Sequence, residues 1–300
     1  MKGVHFDTAK LADLETVLIW AAQEGWNPGL QDAQAFLAAD PNGFFVARVA
    51  GEIIAAISVV NHSDTMAFLG LYLCKPEFRG QGVGFALWRH ALCHAGKRCV
   101  GLDGVAEQEP NYAKSGFVRT GATTRLQGKA PRGATDGIRD FDAARDFVAI
   151  ATLDQRANGY DRARFLAEWV SEGAATRKTV VYTQSGEISG FATIRLCQDG
   201  AKIGPVTAPD TATALTLLSA AAASLDVYDV TLDLPSSAIA FRNALEDRGF
   251  VETFKTARMY CGAVPQPSPS SMAIATMELG QRSHWYASQS CSRLPKSTGL

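Results

Sequence analysis

The chain has 300 residues, 47% of them hydrophobic and 20% charged, which suits about two soluble globular domains. Lys plus Arg (29) and Asp plus Glu (30) nearly cancel to a net charge of −1, which gives no electrostatic case for a nucleic-acid or membrane partner. The six cysteines, Cys74, Cys93, Cys99, Cys197, Cys261 and Cys291, form no CxxC pair and no metal-like spacing, so they read as free thiols in a reducing compartment. The N-terminus shows no basic-then-apolar leader, and no uncharged apolar run nears the roughly 20 residues that span a bilayer. A cytoplasmic location is expected.

Over residues 8–23, Leu11, Leu14, Val17, Leu18 and Ala21 recur at helical spacing, with Asp7 or Thr8 available as a cap. Gly25 stops that helix, and the turn-rich Glu24-Gly25-Trp26-Asn27-Pro28-Gly29 leads to a short helix over 31–38. Residues 44–49 and 53–61 read as a hairpin turning at Gly51, and 66–73 as a third strand. A loop with three glycines comes next, Arg79-Gly80-Gln81-Gly82-Val83-Gly84. After it stands a helix over 82–95 with Phe85, Leu87, Trp88 and Leu92 as its apolar positions. Residues 99–105 form a fourth strand, which the intervening helix allows to run parallel to the third. A helical turn over 110–114 and a last strand over 117–126 complete this half.

Residues 127–137 (QGKAPRGATDG) have the composition of a linker. The half of the chain after this stretch is a degraded copy of the half before it. VARVAGEIIAAIS around Gly51 returns as VYTQSGEISGFAT around Gly186, and Leu69-Gly70, Leu102-Asp103 and Gly116-Phe117-Val118 return as Ile203-Gly204, Leu232-Asp233 and Gly249-Phe250-Val251. The copies stand 135 residues apart at Gly51, 134 at Gly70, 130 at Asp103 and 133 at Gly116. The drop from 134 to 130 falls where the first copy carries its glycine loop; the second has Ala208-Pro209-Asp210-Thr211-Ala212-Thr213 there, without glycine. The expected organisation is a domain over 1–127, a linker over 128–137, a second domain over 138–280 with one more strand at 273–279, and a polar, Ser-rich disordered tail over 281–300.

Strand, glycine-rich turn and helix N-terminus together make an anion site, because backbone N–H groups converge there on the positive end of the helix dipole. Taken alone, RGQGVG is equally a turn that wants glycine for positive φ. A Rossmann dinucleotide site would want GxGxxG directly after the first strand of a βαβ unit, whereas this loop comes after a meander.

Arg79, Gly82 and Gly84 fit a [QR]xxGx[GA] loop, and Asn111-Tyr112-Ala113-Lys114-Ser115-Gly116-Phe117 fits an N…YxxxGF element. With the order of elements around them, residues 3–126 resemble the GNAT superfamily of acyl-CoA-dependent N-acyltransferases. The second half resembles the degenerate partner domain of tandem bacterial GNAT proteins through GYDRARFLAEW, IGPV, ARMY and MELG. The fold class so implied is mixed α/β (α+β): two tandem GNAT-like domains, each a mostly antiparallel sheet with a parallel central pair flanked by helices.

The resemblance implies acetyl-CoA as donor, a primary amine of a small molecule as acceptor, direct transfer in a ternary complex, and no metal. It assigns the coenzyme A pyrophosphate to Arg79, Gly80, Gln81, Gly82, Val83 and Gly84. The acetyl and pantetheine groups go to backbone at Leu71, Tyr72 and Leu73, where strand 66–73 splays from its neighbour, and Asn111 joins the cofactor contacts. Tyr112 becomes the acid that protonates the leaving thiolate; a half-buried packing tyrosine is the plainer alternative. Leu245 holds that position in the second copy.

For the base, Asp103 sits at the cofactor end of strand 99–105, with a structural cap as the equal alternative. Glu24 borders the acceptor, while Trp26 and Asn27 offer an aromatic wall and an orienting amide; Trp26 closing its loop over the core is the alternative. His62 lies a strand's length away and is set aside, and Cys74 reads as a buried thiol rather than a nucleophile. The second domain is expected to wall the acceptor site or mediate homodimerisation. A non-catalytic acyl-CoA sensor or scaffold is the rival function, and the retained Tyr112 speaks against it.

Overall fold

The computed structural model describes residues 3–133, 135–266 and 268–279; the tail expected over 281–300 lies outside the described residues. Strand β1 (Val4–Thr8) precedes helices α1 (Leu11–Gln23) and α2 (Asp32–Ala39) and the meander β2 (Phe44–Val49), β3 (Glu52–Asn61) and β4 (Met66–Cys74). Then come α3 (Val83–Ala95), β5 (Cys99–Gly104), α4 (Glu109–Lys114) and β6 (Val118–Lys129). The second half repeats the series: β7 (Ile138–Asp140), α5 (Ala143–Asn158), α6 (Ala163–Trp169), β8 (Arg177–Gln184), β9 (Glu187–Leu196) and β10 (Ala201–Thr207). It closes with α7 (Thr211–Ser224), β11 (Asp229–Pro235), α8 (Ile239–Glu246), β12 (Val251–Cys261) and the short β13 (Ser271–Ala273). Of these, β1 escapes the periodicity, being five residues at a sheet edge. The extra strand expected over 273–279 is regular only at its start.

Alternation along the strands divides the core into two layers. On β2, Phe45 and Ala47 face a cluster with Val83, Leu87, Trp88 and Ala91 of α3, while Val46 faces the opposite layer. That opposite layer joins both halves of the chain. Leu14, Val17 and Leu18 of α1 and Phe36 of α2 share one cluster with Ile150 of α5 and Phe165 and Trp169 of α6. Phe36 and Trp169 stack at 6.3 Å between centroids.

The strands form one sheet in the order β1-β2-β3-β4-β5-β12-β6-β11-β10-β9-β8-β7, with β13 against β10. The pairs β4/β5 and β10/β11 are parallel and the other pairs antiparallel. The closing strands are therefore exchanged: β12 of the second half lies against β5, and β6 of the first half lies against β11. This corrects the division expected at residues 127/128. Gln127, Gly128 and Lys129 are not linker but ladder, paired with Thr231, Val230 and Asp229.

The exchange carries two matched ion pairs. Asp103 on β5 stands directly opposite Arg258 on β12, and Asp233 on β11 directly opposite Arg125 on β6. Arg258 donates through Nε to Asp103 Oδ1 at 2.8 Å and through Nη2 to Oδ2. Arg125 does the same to Asp233 at 2.7 and 2.9 Å. All four side chains are buried. A third link joins Asp32 of α2 to Arg177 (2.7 Å) and Arg195 (3.2 Å) of the second half.

Removing one partner of a buried pair strands the other, a loss of about 3 kcal/mol or more. Asp103→Asn and Asp233→Asn should thus each lower the unfolding free energy in urea by about 3 kcal/mol. Similar losses at the two sites are expected, although only Asp103 borders a cleft.

Candidate active site

Between β4 and β5 the parallel ladder runs only from Met66 opposite Cys99 to Leu69 opposite Leu102. Beyond it β4 bulges: its register against β3 shifts between Gly70 and Leu73, and Leu71 adopts a left-handed φ of 46°. A bulge bends its strand and re-aims the groups on it. The two strands part around a cleft of about 670 Å³ lined by residues 69–74, by Gly80, Gly82 and Gly84, and by Tyr112.

At one end of the cleft, Gly80 (φ 74°) and Gly82 (φ 80°) take the left-handed conformation that side chains resist. Gly82 is the N-cap of α3 and no side chain caps that helix, so the N–H groups of its first turn are open to an anion. In the second half, Asp210 Oδ1 accepts from Thr213 N at 2.7 Å and places a carboxylate on the N-terminus of α7. The second opening is filled as well. There β10 carries a matching irregularity between Ile203 and Val206, but β13 pairs with β10 and Ile274 N donates to the Asp233 carbonyl at 2.8 Å. A Cβ on Gly204 would sit 2.0 Å from the Ile274 carbonyl oxygen.

Tyr112 stacks on Trp88 of α3, 5.5 Å between centroids and 18° between planes. Its ring lies against Gly104, where a Cβ would come within 2.5 Å. Burial pushes the phenol up to about 12. Among the described residues the hydroxyl makes no hydrogen bond, and it is not sealed from solvent.

Of the residues expected at the site, Leu71, Tyr72, Leu73, Arg79, Gly80, Gly82, Gly84, Tyr112, Asp103, Glu24 and Trp26 line the cleft. Several hold other partners. Arg79 donates to the Cys74 carbonyl (2.9 Å) and to Glu24 Oε1 (2.7 Å), a half-exposed ion pair at the cleft mouth. The Gln81 side chain turns back to the Glu77 carbonyl, and Val83 is buried in the core. Asn111 is a correction: on the exposed side of α4 it donates to Gln108 (2.9 Å), and Gln108 lines the cleft instead. Asn27 is another. Its amide donates to the Asp199 carbonyl (2.7 Å) and accepts from Asp199 N (3.2 Å), which pins the loop to the second half beside a smaller cavity of about 250 Å³. The Trp26 carbonyl accepts from Arg125 (3.2 Å) and Lys202 (2.8 Å), while its ring packs on the core and borders the cleft.

Asp103 is the third correction. Its carboxylate accepts from Arg258, from Thr123 Oγ1 (3.0 Å) and from Thr256 Oγ1 (3.2 Å). Burial raises the Asp103 carboxyl against the pull of those donors. A proton placed there would leave the Arg258 charge buried without a counter-ion. The same Asp–Arg pair recurs at Asp233, where the chain itself fills the opening.

Two family descriptions match the chain, "Acetyltransferase (GNAT) family" over residues 11–117 and "Acetyltransferase (GNAT) domain" over 150–273. Holothin acyltransferase of Pseudoalteromonas sp. is 38% identical over 276 residues, covering 91% of this chain and 93% of that one. The chain belongs to the GNAT acyltransferase family. It is a tandem GNAT protein. An N-acetyltransferase of Bacillus subtilis described as uncharacterized, YitH, is 23% identical over 76% of this chain and 81% of its own length. In fold it is similar to a candidate acetyltransferase of Pyrococcus horikoshii (TM-score 0.78, 19% identity, 93% and 97% of the two chains). A tandem GNAT protein from the clavulanic acid biosynthesis pathway also matches it (TM-score 0.58, 19% identity, 88% and 99%).

The cleft also holds residues that reading the sequence missed: Arg125, Phe254, Thr256, Met277 and Glu278. They arrive through the exchanged strands and through residues 271–279. The available signal was the glycine shared by both copies. A Cβ on Gly70 would lie 1.9 Å from the Glu278 carbonyl oxygen, as one on Gly204 would crowd Ile274. Both glycines give passage to the same C-terminal segment.

If the uncapped α3 N-terminus is the anion cradle, Gly82→Val should weaken coenzyme A binding by about 100-fold or more while the far-UV circular dichroism is unchanged. Isothermal calorimetry measures it, and an unaltered affinity would refute the cradle.

Proposed function

We propose that this tandem GNAT protein transfers an acetyl group from acetyl-CoA to the primary amine of a small molecule, directly and in a ternary complex. The observation that carries the reading is the bulge at Leu71, which opens β4 from β5 into a cleft running from the uncapped α3 N-terminus to Tyr112. The residues fit coenzyme A in kind: glycines in left-handed conformation and unclaimed helix N–H groups for a pyrophosphate, and a parted strand with free edge for an amide-bearing arm. A strand N–H near the bulge supplies a donor for the oxyanion of the tetrahedral state.

Attack by a neutral amine forms the C–N bond, and breakage of the C–S bond releases a thiolate, which Tyr112 protonates. Its raised pKa keeps that proton in place until a thiolate develops nearby. Cys74, the thiol on the cleft wall, is itself pushed up by burial and stays protonated, a poor nucleophile. That favours direct transfer over an acyl-cysteine intermediate. Trp26, Phe254 and Met277 give the cleft an apolar wall, suited to a flat or partly apolar acceptor. The 38%-identical relative is named for acyl transfer to holothin, which supports a small-molecule acceptor here.

Tyr112→Phe should lower kcat about 100-fold or more with KM for acetyl-CoA little changed. Thiol release from acetyl-CoA with a panel of amines measures this. In the wild type the rate should show no downturn at pH 10, where an ordinary phenol ionises. Tight binding without turnover on any amine would favour a sensor instead.

A further inference from the structure

Residues 271–279 lace the two halves together. Ala273 pairs with Val206 of β10, Ile274 N donates to the Asp233 carbonyl of β11, and Arg195 Nη1 donates to the Ala275 carbonyl at 3.0 Å. The segment then crosses to the first half. The Glu278 carbonyl rests on Gly70 at the foot of the β4 bulge, and His62 Nε2 donates to the Leu279 carbonyl at 2.9 Å. His62 is half-buried, and desolvation of its ring lowers its pKa to about 4, so it serves as a neutral donor that anchors the strap. This arrangement delivers one acidic side chain to the cleft from the far end of the chain.

Three carboxylates line the cleft: Glu24, Asp103 and Glu278. Glu24 is paired with Arg79 and Asp103 with Arg258. Glu278 is in no ion pair among the described residues. Its Oε2 accepts from Thr276 Oγ1, and Oε1 accepts no bond among the described residues and is not sealed from solvent. The residue lines the cleft and is only 4% exposed. The charged groups around it are Arg125 on β6, Arg195 on β9 and Lys202 on β10, with the Cys197 thiol between them. None of the three cations is within ion-pair distance of the carboxylate.

We propose that Glu278 is the general base of the reaction, contributed to the first domain's cleft by the second. The proposal rests on the transferase reading given above. Glu278 Oε1 takes one proton from the acceptor ammonium, and the neutral amine then attacks the thioester carbon. As the C–N bond forms and the C–S bond breaks, the Tyr112 O–H proton passes to sulfur. The remaining surplus proton on the amide nitrogen returns to the Tyr112 oxygen. Glu278 afterwards releases its proton to solvent, so one ammonium and one thioester become one amide, one thiol and one free proton. Thr276 is a positioning residue, fixing the carboxylate through Oε2.

The test compares wild type, Glu278→Gln and Glu278→Asp in the full chain, with alkylamines and arylamines as probes and thiol release as the readout. On an alkylamine, Glu278→Gln should be slowed about 100-fold at pH 7. Its kcat/KM should climb about tenfold per pH unit up to the amine's own pKa, since only the neutral fraction then reacts. The wild-type profile should be level over that range, and Glu278→Asp should keep the level profile at a reduced rate. Arylamines, already neutral at pH 7, should show a much smaller loss. A merely structural role would slow both amine classes alike and leave the slope unchanged, which would overturn the proposal. So would equal turnover by wild type and Glu278→Gln. Acetyl-CoA calorimetry on the variants confirms an intact cofactor cleft. Failure of the wild type to turn over any amine would instead overturn the transferase reading, and this inference with it.

Discussion

Everything in this molecule hangs on the exchange of closing strands, and the exchange is locked by two buried arginine–aspartate pairs. Each pair joins an aspartate of one half to an arginine of the other, in direct register across the ladder. Buried ion pairs are costly to desolvate, and apolar residues of the same volume often stabilise as well or better. What they add is discrimination. A strand pairing that placed Arg125 or Arg258 away from its aspartate would bury an uncompensated guanidinium. We read the pairs as pins that hold each ladder against slippage along its strands.

The repeat also gives the chain an internal control for its chemistry. The two halves share architecture, bulge and aspartate, yet differ at each feature a coenzyme would need. Helix α3 begins at a glycine with no side-chain cap, whereas α7 begins under the carboxylate of Asp210. The opening beside β4 is a cleft, whereas the one beside β10 is threaded by β13 and Ile274. Tyr112 has Leu245, fully buried, as its counterpart. Opening, dipole and acid are kept together in one half and lost together in the other.

The local parts of this fold were legible in the sequence because they obey local rules. The helix periodicity over α1, the hairpin at Gly51 and the glycine loop arise from residues within a few positions of one another, and the repeat shows as those same local patterns returning about 130 residues on. The strand exchange was not legible for a physical reason: β6 and β12 carry equivalent residues, so either could close either half, and composition does not separate the two choices. Asp103 was legible as a carboxylate at the right end of the right strand. Its partner, Arg258, lies 155 residues away, and that contact changes its role. Asn27 misled in the same manner, since the amide that suits an acceptor is held by Asp199 across 172 residues. Glu278 stood in the MELG motif of the second half, but nothing local placed it in the first half's cleft; the matched glycines Gly70 and Gly204 hinted that something passes close to both bulges.

The lacing of residues 271–279 through both bulges bears on how the protein is made. A ribosome releases the glycine loop, the β4 bulge and Tyr112 long before it releases Thr276 and Glu278. Until then the first half lacks both its neighbouring strand β12 and the strap that seats on Gly70. The nascent chain can display a cofactor cradle but not a finished cleft. The cleft is thus finished only once residues 271–279 have been made, and a chain cut short before them leaves the first half unfinished.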